Sequence, residues 1–290
     1  MRTVMCLFLI TFLTFTLIPM AFAAAIPIET SIRQQSLDMA KEKSEVEQAI
    51  NVSKTDPKEF LVNKKDVLGR EELVDIKNPN ELEYSDAYKV VSANRNIIQA
   101  LLDGTNLPAV LHTAPYHWEV PVLFKEEATK KPVASFTVAK SDNGWQVVEI
   151  GGYLSPEQSY FSSASEGLIT FFKENSLKDA NSFIHFRIPS LHTDFLYVAA
   201  DEQEYFVPLI HNRDELHGLK NNTIYTRNEL VSAIGPTIKR NLDNPNPAPS
   251  GYPSVERNKD HLFLVAFLSM AFIIIAFYGY RKFITKRCAP

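Results

Sequence analysis

Residues 132–152 read PVASFTVAKSDNGWQVVEIGG and carry the clearest structural signal in the chain. Two runs in which apolar and polar residues alternate flank Asp142-Asn143-Gly144. A period of two is typical of a strand with one buried face, and Asn-Gly between such runs favours a tight hairpin turn. The segment therefore predicts two antiparallel strands, at 132–140 and 145–151.

Four more strands are predicted around this hairpin. One precedes it at 119–125, and three follow it at 183–188, 194–199 and 204–210. Consecutive strands with short connections usually pair antiparallel. The predicted class is therefore α+β, with an antiparallel sheet or sheets of about six strands and helices on one face.

Three helices are predicted beside these strands, starting at Ser85, Ser155 and Thr226. Apolar residues follow each start at helical spacing, with Gly104 ending the first helix and Pro236 the last. The starts lie 70 and 71 residues apart. An internal duplication of one helix and three strands would explain this order, and so would any pair of hairpins with period-two alternation.

The segment 24–80 is polar, with mixed charge and a thin apolar stripe along a predicted helix at 31–49. Such a stripe provides little surface for packing against a sheet. We therefore expect residues 24–80 to form a stalk or a loosely packed lead-in. The domain proper is predicted at 81–240.

The N-terminus has the features of a secretory signal peptide at 1–23. Arg2 precedes an apolar run from Val4 to Leu17, and Ala21-Phe22-Ala23 places small residues before a cleavage site. The alternative is an uncleaved anchor, for which the run is short. We expect cleavage after Ala23.

The C-terminus predicts a membrane anchor within 261–280. Residues 262–280 read LFLVAFLSMAFIIIAFYGY and contain no charge, which suits a helix that crosses a bilayer. A basic tail, 281–290, follows and is expected on the cytoplasmic side. A proline-rich spacer at 241–260 precedes the span. The lipid bilayer is thus one predicted partner, the protein is expected to be single-pass in the cell membrane, and its N-terminus is predicted to lie outside.

Charge and cysteine content describe the part outside the membrane. Of 30 Lys and Arg, five lie in the signal peptide or tail, which leaves 25 against 34 Asp and Glu, a net charge of about −9. A surplus of this sign argues against nucleic acid as a partner. Cys6 and Cys288 lie outside this part, so no disulfide is expected, which favours a bacterial cell surface over an animal one.

No motif in the sequence indicates catalysis, a cofactor or a metal site. Gly-x-Ser-x-Gly, Ser-x-x-Lys and His-Glu-x-x-His are all absent. His185, His192 and Asp194 would meet only if their strands pair closely. Tyr116-His117-Trp118 is the local feature that favours ligand binding, because aromatic residues with polar tips are common in binding sites. The alternative for Trp118 is a place in the core.

These observations favour a membrane-anchored extracytoplasmic module that binds or scaffolds a peptide, a protein or a cell-envelope component. A tail of ten residues is too short for an enzyme or a signalling domain. Two alternatives stay open. One is an exported hydrolase that uses scattered His and acidic residues, and the other is an accessory subunit of a membrane complex.

Overall fold

The computed structural model describes residues 25–126, 129–152, 165–210 and 215–243. The predicted signal peptide, the predicted helix start at Ser155, most of the spacer, the membrane span and the tail lie outside these residues. None of the described helices is both long and apolar enough to span a bilayer.

The described chain is a mixed α+β structure. Its helices are α1 (Ile28–Arg33), α2 (Lys43–Asn51), α3 (Pro57–Asn63), α4 (Lys65–Leu68), α5 (Arg95–Asp103), α6 (Leu107–Thr113), α7 (Ser165–Glu174) and α8 (Arg227–Asp243). Its strands are β1 (Ile26–Pro27), β2 (Leu82–Tyr84), β3 (Tyr88–Ser92), β4 (Tyr116–Glu126), β5 (Thr129–Ser141), β6 (Gly144–Gly152), β7 (Asp179–Ala180), β8 (Ser182–Ile188), β9 (Thr193–Ala200), β10 (Gln203–Ile210), β11 (Glu215–Leu216), β12 (Leu219–Lys220) and β13 (Tyr225–Thr226).

Nine of the strands in the described residues form the main sheet, in the order β13-β10-β9-β8-β3-β4-β5-β6, with β2 paired to β4. All six predicted strands are present, as the two meanders β4–β6 and β8–β10. The prediction of a purely antiparallel sheet is wrong at one place, since β3 separates the meanders and pairs parallel with β8. The sheet is therefore mixed.

The predicted hairpin within residues 132–152 is present in the structure. Asp142 and Asn143 make a two-residue turn between Ser141 and Gly144, which face each other across β5 and β6. Gly144 has a φ of +96°, a conformation that costs glycine little because it has no Cβ.

One face of the sheet, called here the first face, is lined by large apolar side chains on every long strand. The register places Val91, Trp118 and Phe186 on this face. Helices α5, α6 and α8 cover it beside β8–β10, and α2 and α3 cover it beside β4–β6. Burial of this apolar surface is the main force that holds the sheet to its helices.

The opposite face, called here the second face, also carries helices. Ile28 and Ile32 of α1 and Leu168 and Phe172 of α7 pack there on β8–β10. The prediction of helices on one face is therefore wrong. Strands β8 and β9 of this half are buried along almost their whole length, as expected for strands that are covered on both faces.

The expected stalk at 24–80 belongs to the folded domain instead. Val46, Leu61 and Ile76 are fully buried in the core on the first face. Arg70 donates hydrogen bonds to the carbonyls of Gly151 and Gly152 at the end of β6. The helices here are only four to nine residues long, and none buries more than three residues, so no long apolar stripe marks them in the sequence.

The predicted helix start at Ser85 is also wrong, because Val90 and Val91 lie in β3 and are buried on opposite faces. The helix starts later, where the Asn94 side chain accepts a hydrogen bond from the Ile97 amide. This change removes the regular spacing of helix starts, and the duplication stays a prediction. Helix α8 begins after Thr226 as predicted, but continues through Pro236.

Candidate functional site

Polar and charged side chains occupy the centre of the second face. The register brings them together from five strands: Tyr88 pairs with Glu119, Glu119 with Thr137, and Arg187 with Asp194. Asp194 is 0 % exposed and Glu119 is 3 % exposed. We call the following residues the central polar cluster: Tyr88, Ser92, His117, Glu119, Ser135, Thr137, His185, Arg187 and Asp194.

Asp194 anchors one side of the cluster. Its Oδ1 accepts from Arg187 Nε at 2.7 Å, and its Oδ2 accepts from Arg187 Nη2 at 3.0 Å. His185 Nε2 lies 3.0 Å from the same Oδ2, and the Tyr88 ring stacks on the His185 ring. This two-pronged pairing fixes the guanidinium in one orientation.

Glu119 anchors the other side. It accepts hydrogen bonds from the hydroxyls of Ser135 and Thr137, and Arg187 Nη1 lies 3.6 Å from its Oε2. Burial raises the pKa of Glu119, but the Arg187 charge and contacts with His117 and Ser135 outweigh burial and lower that pKa to about 2. Glu119 is therefore an anion at neutral pH.

Burial of these charged groups is energetically unfavourable, but their opposite charges compensate one another. Burial lowers the pKa of Arg187, but Asp194 and Glu119 overcome that effect and raise it well above its ordinary value. Two carboxylates thus face one guanidinium in an interior where isolated charges are unfavourable. A buried set of charges with shifted pKa values is a typical mark of a functional site.

Two polar atoms of the cluster are buried without a hydrogen-bond partner among the described residues. They are Tyr88 Oη and His117 Nε2. His117 Nε2 does lie 3.6 Å from Glu119 Oε2, which is a charge contact but beyond hydrogen-bond length. Burial raises the pKa of Tyr88 well above 10, so its hydroxyl keeps its proton. Both atoms thus have hydrogen-bonding capacity that the described residues do not use.

The cluster reaches the surface along one side. Ser92 is exposed and faces Arg187 across the parallel pair β3–β8. The Arg187 side chain is 21 % exposed and that of His117 is 12 % exposed. Ser92 Oγ lies 3.5 Å from His117 Nδ1. Ser92, His117 and Arg187 therefore form the opening of the cluster.

The structure separates the three residues predicted to bind a ligand. Tyr116 and Trp118 lie on the first face, 6.0 Å apart ring to ring, while His117 points to the second face. Trp118 is 1 % exposed within the core, and the Tyr116 hydroxyl donates to Glu42. The three side chains thus do not share one surface, and His117 is the member that joins the central polar cluster.

The structure brings together part of the predicted His and acid set. His185 and Asp194 meet in the cluster. His192 instead caps a turn at a φ of +49°. No described group of three or more His, Cys, Asp and Glu has an arrangement that could hold a metal ion.

Sequence reasoning missed Ser92, Glu119 and Arg187. Glu119 lies in a predicted strand, and the alternation of side chains places it on the opposite face from Val120. This alternation was the feature of the sequence that could have identified Glu119.

No family model, characterised protein or solved structure matches the chain.

Proposed function

We propose that the protein is a membrane-anchored extracytoplasmic module that binds a peptide-like part of a peptide, a protein or a cell-envelope component. The supporting observation is the opening of the central polar cluster. There Ser92, His117 and Arg187 reach the surface above the carboxylates of Glu119 and Asp194.

The ligand chemistry follows from the mixture of groups at this opening. Arg187 and Ser92 can donate hydrogen bonds at the opening, the His117 ring can donate or accept one, and the buried carboxylates of Glu119 and Asp194 lie beneath them. A simple anion would be repelled by the carboxylates of Glu119 and Asp194, and a simple cation would be repelled by Arg187. An amide group both donates and accepts and carries no charge. Peptide-like ligands therefore suit the site better than simple ions.

Membrane anchoring is supported by the sequence at both ends. A signal-like segment at 1–23 and an apolar, charge-free segment at 262–280 favour export followed by retention. The basic residues after Tyr280 favour a cytoplasmic tail.

Binding can be tested with the full-length protein in lipid nanodiscs. A pool of fluorescein-labelled hexapeptides is titrated, and binding is followed by fluorescence polarisation. We expect His117→Gln to weaken binding at least fivefold, because a lost hydrogen bond contributes about 1 kcal/mol. The matched control is Lys140→Gln, an exposed charge on β5. Equal effects of both variants, or no binding by the wild type, would refute the proposal.

Topology can be tested by adding protease to intact cells and to spheroplasts. We expect digestion of residues 25–243 and protection of an epitope placed after Pro290. An epitope that becomes accessible from outside an intact membrane would exclude the proposed orientation.

A further inference from the structure

We propose that the opening of the central polar cluster is also an acyl-transfer site, with Ser92 as nucleophile, His117 as base and Glu119 as the acid that orients the base. The inference rests on the proposed function, since the substrate is a peptide-like or ester-bearing ligand held at the same opening. It adds a chemical step to binding.

The first argument is the order of contacts along His117. Its Nδ1 lies 3.5 Å from Ser92 Oγ, and its Nε2 lies 3.6 Å from Glu119 Oε2. A nucleophile, a base and an orienting acid in this order define hydrolytic triads on unrelated folds. Both contacts are longer than a hydrogen bond. Catalytic hydrogen bonds in ligand-free sites are often long and shorten when substrate binds.

The second argument is that Ser92 is the accessible hydroxyl among the serine and threonine residues of the cluster. Ser135 and Thr137 are buried and donate to Glu119. Ser92 is exposed on the last residue of β3. Its hydroxyl therefore meets a ligand from solvent, while the two buried hydroxyls hold the acid in place.

The third argument is the pre-oriented carboxylate. Glu119 is fixed by two hydroxyls and by the Arg187 charge, and its pKa of about 2 keeps it ionised at neutral pH. Each nitrogen of His117 then has its own neighbour. A proton on Nε2 faces Glu119, and Nδ1 remains able to accept the hydroxyl proton of Ser92.

The fourth argument concerns the negative charge that develops on the substrate oxygen. Arg187 sits directly across β3–β8 from Ser92 and is held rigidly by Asp194. A fixed cation beside the nucleophile is the kind of group that stabilises an oxyanion.

The proposed step conserves atoms and charge. Ser92 Oγ forms a bond to the carbonyl carbon of an ester or amide while its proton passes to His117 Nδ1. The bond from that carbon to the leaving oxygen or nitrogen then breaks, and the leaving group takes the proton from His117. Water next gives a proton to His117 and attacks the acyl-Ser92 ester. The acid is released and Ser92 regains its proton.

The test uses full-length protein in nanodiscs and a biotinylated fluorophosphonate, a reagent that phosphonylates activated serines. We expect the label on Ser92 by peptide mass mapping. Labelling should vanish in Ser92→Ala and slow at least 100-fold in His117→Gln, since a general base contributes about 10²–10⁴ in rate. The matched control is Ser141→Ala, because Ser141 is also exposed but lies at the β5–β6 turn. This variant should label like the wild type.

The outcomes separate the two proposals. Absence of label on Ser92, or labelling that survives Ser92→Ala, overturns the triad even if hexapeptides still bind. Equal labelling rates in wild type and His117→Gln also overturn it. Because Ser92 is exposed, its alanine variant should melt within a few degrees of the wild type, so loss of label would not reflect unfolding.

Discussion

The two faces of the sheet differ in what they bury. The first face is apolar on every long strand, from Trp145 on β6 to Phe206 on β10. The second face is apolar under α1 and α7, but its centre holds Glu119, Arg187 and Asp194. The same strands supply both faces, so the backbone does not impose the difference.

The difference separates residues that stabilise the fold from residues that can act on a ligand. An apolar centre of similar volume would be as stable as, or more stable than, a buried ion pair. The first face shows that this sequence can supply such a centre. Charges at the middle of the second face therefore favour a function, and the following experiments test that contrast.

The largest effect is expected on the first face, from Trp118→Ala. Truncation of a buried aromatic residue costs about 3–5 kcal/mol, because it removes apolar contacts and leaves a cavity. For a domain of this size the melting midpoint should fall by about 10 °C in calorimetry. Hexapeptide affinity of the folded fraction should not change.

Val148→Ala is the matched control, because Val148 lies on edge strand β6 and is 56 % exposed. Its midpoint should stay within a degree or two of the wild type. A change of only a degree or two in the midpoint of Trp118→Ala would contradict the place of Trp118 in the core. A loss of peptide affinity without loss of stability would place the binding site on the first face.

Asp194→Asn should give the next largest effect. The change leaves Arg187 and His185 without their shared anionic partner, and breaking a buried pair costs about 3–5 kcal/mol. We expect the lower end of this range, because Arg187 is partly exposed and keeps Glu119 nearby. Urea unfolding followed by circular dichroism gives the free energy.

A triple variant then tests whether the cluster is only structural. Glu119→Gln, Arg187→Met and Asp194→Leu together remove all three charges, so no unpaired charge is left. We expect this variant to recover at least half of the stability lost in Asp194→Asn and to lose hexapeptide binding. Retention of wild-type affinity in the triple variant would show that the cluster serves stability alone.

The sequence predicts the strands well because their signal is local. Alternation in 132–152 and the turn at Asp142-Asn143-Gly144 depend on neighbouring residues, and the structure has both. The lead-in could not be predicted in the same way. Val46, Leu61 and Ile76 each belong to a different short segment, and only tertiary packing brings them into one core.

The candidate site was even less accessible to sequence reasoning. Ser92, His117, Glu119, Arg187 and Asp194 span about a hundred residues and come from four strands. Their meeting depends on β3 lying between the two meanders, and on its parallel pairing with β8. No spacing rule encodes such an insertion. Tyr116-His117-Trp118 looked like one feature, but adjacent strand residues point to opposite faces.

The smallest of the three effects concerns pH and isolates the Glu119 carboxylate. Its pKa falls from 4.5 in the unfolded chain to about 2 in the folded state, so between these values the unfolded chain binds more protons. The stabilisation is complete above pH 4.5 and is lost as the pH falls towards 2. About 2 kcal/mol of it is lost between pH 7 and pH 3. Other carboxylates contribute to acid unfolding, so the informative quantity is the difference between wild type and Glu119→Gln. We expect the free energy of unfolding, measured in urea at pH 7, 5, 4 and 3, to fall less steeply with pH in Glu119→Gln than in the wild type.

Glu149→Gln provides the control on the same face. Glu149 is exposed opposite Thr137, so this variant should lose stability with falling pH as steeply as the wild type. Parallel curves for wild type and Glu119→Gln would show that Glu119 is not held as an anion by Arg187, and they would remove the charge contrast between the two faces at that position.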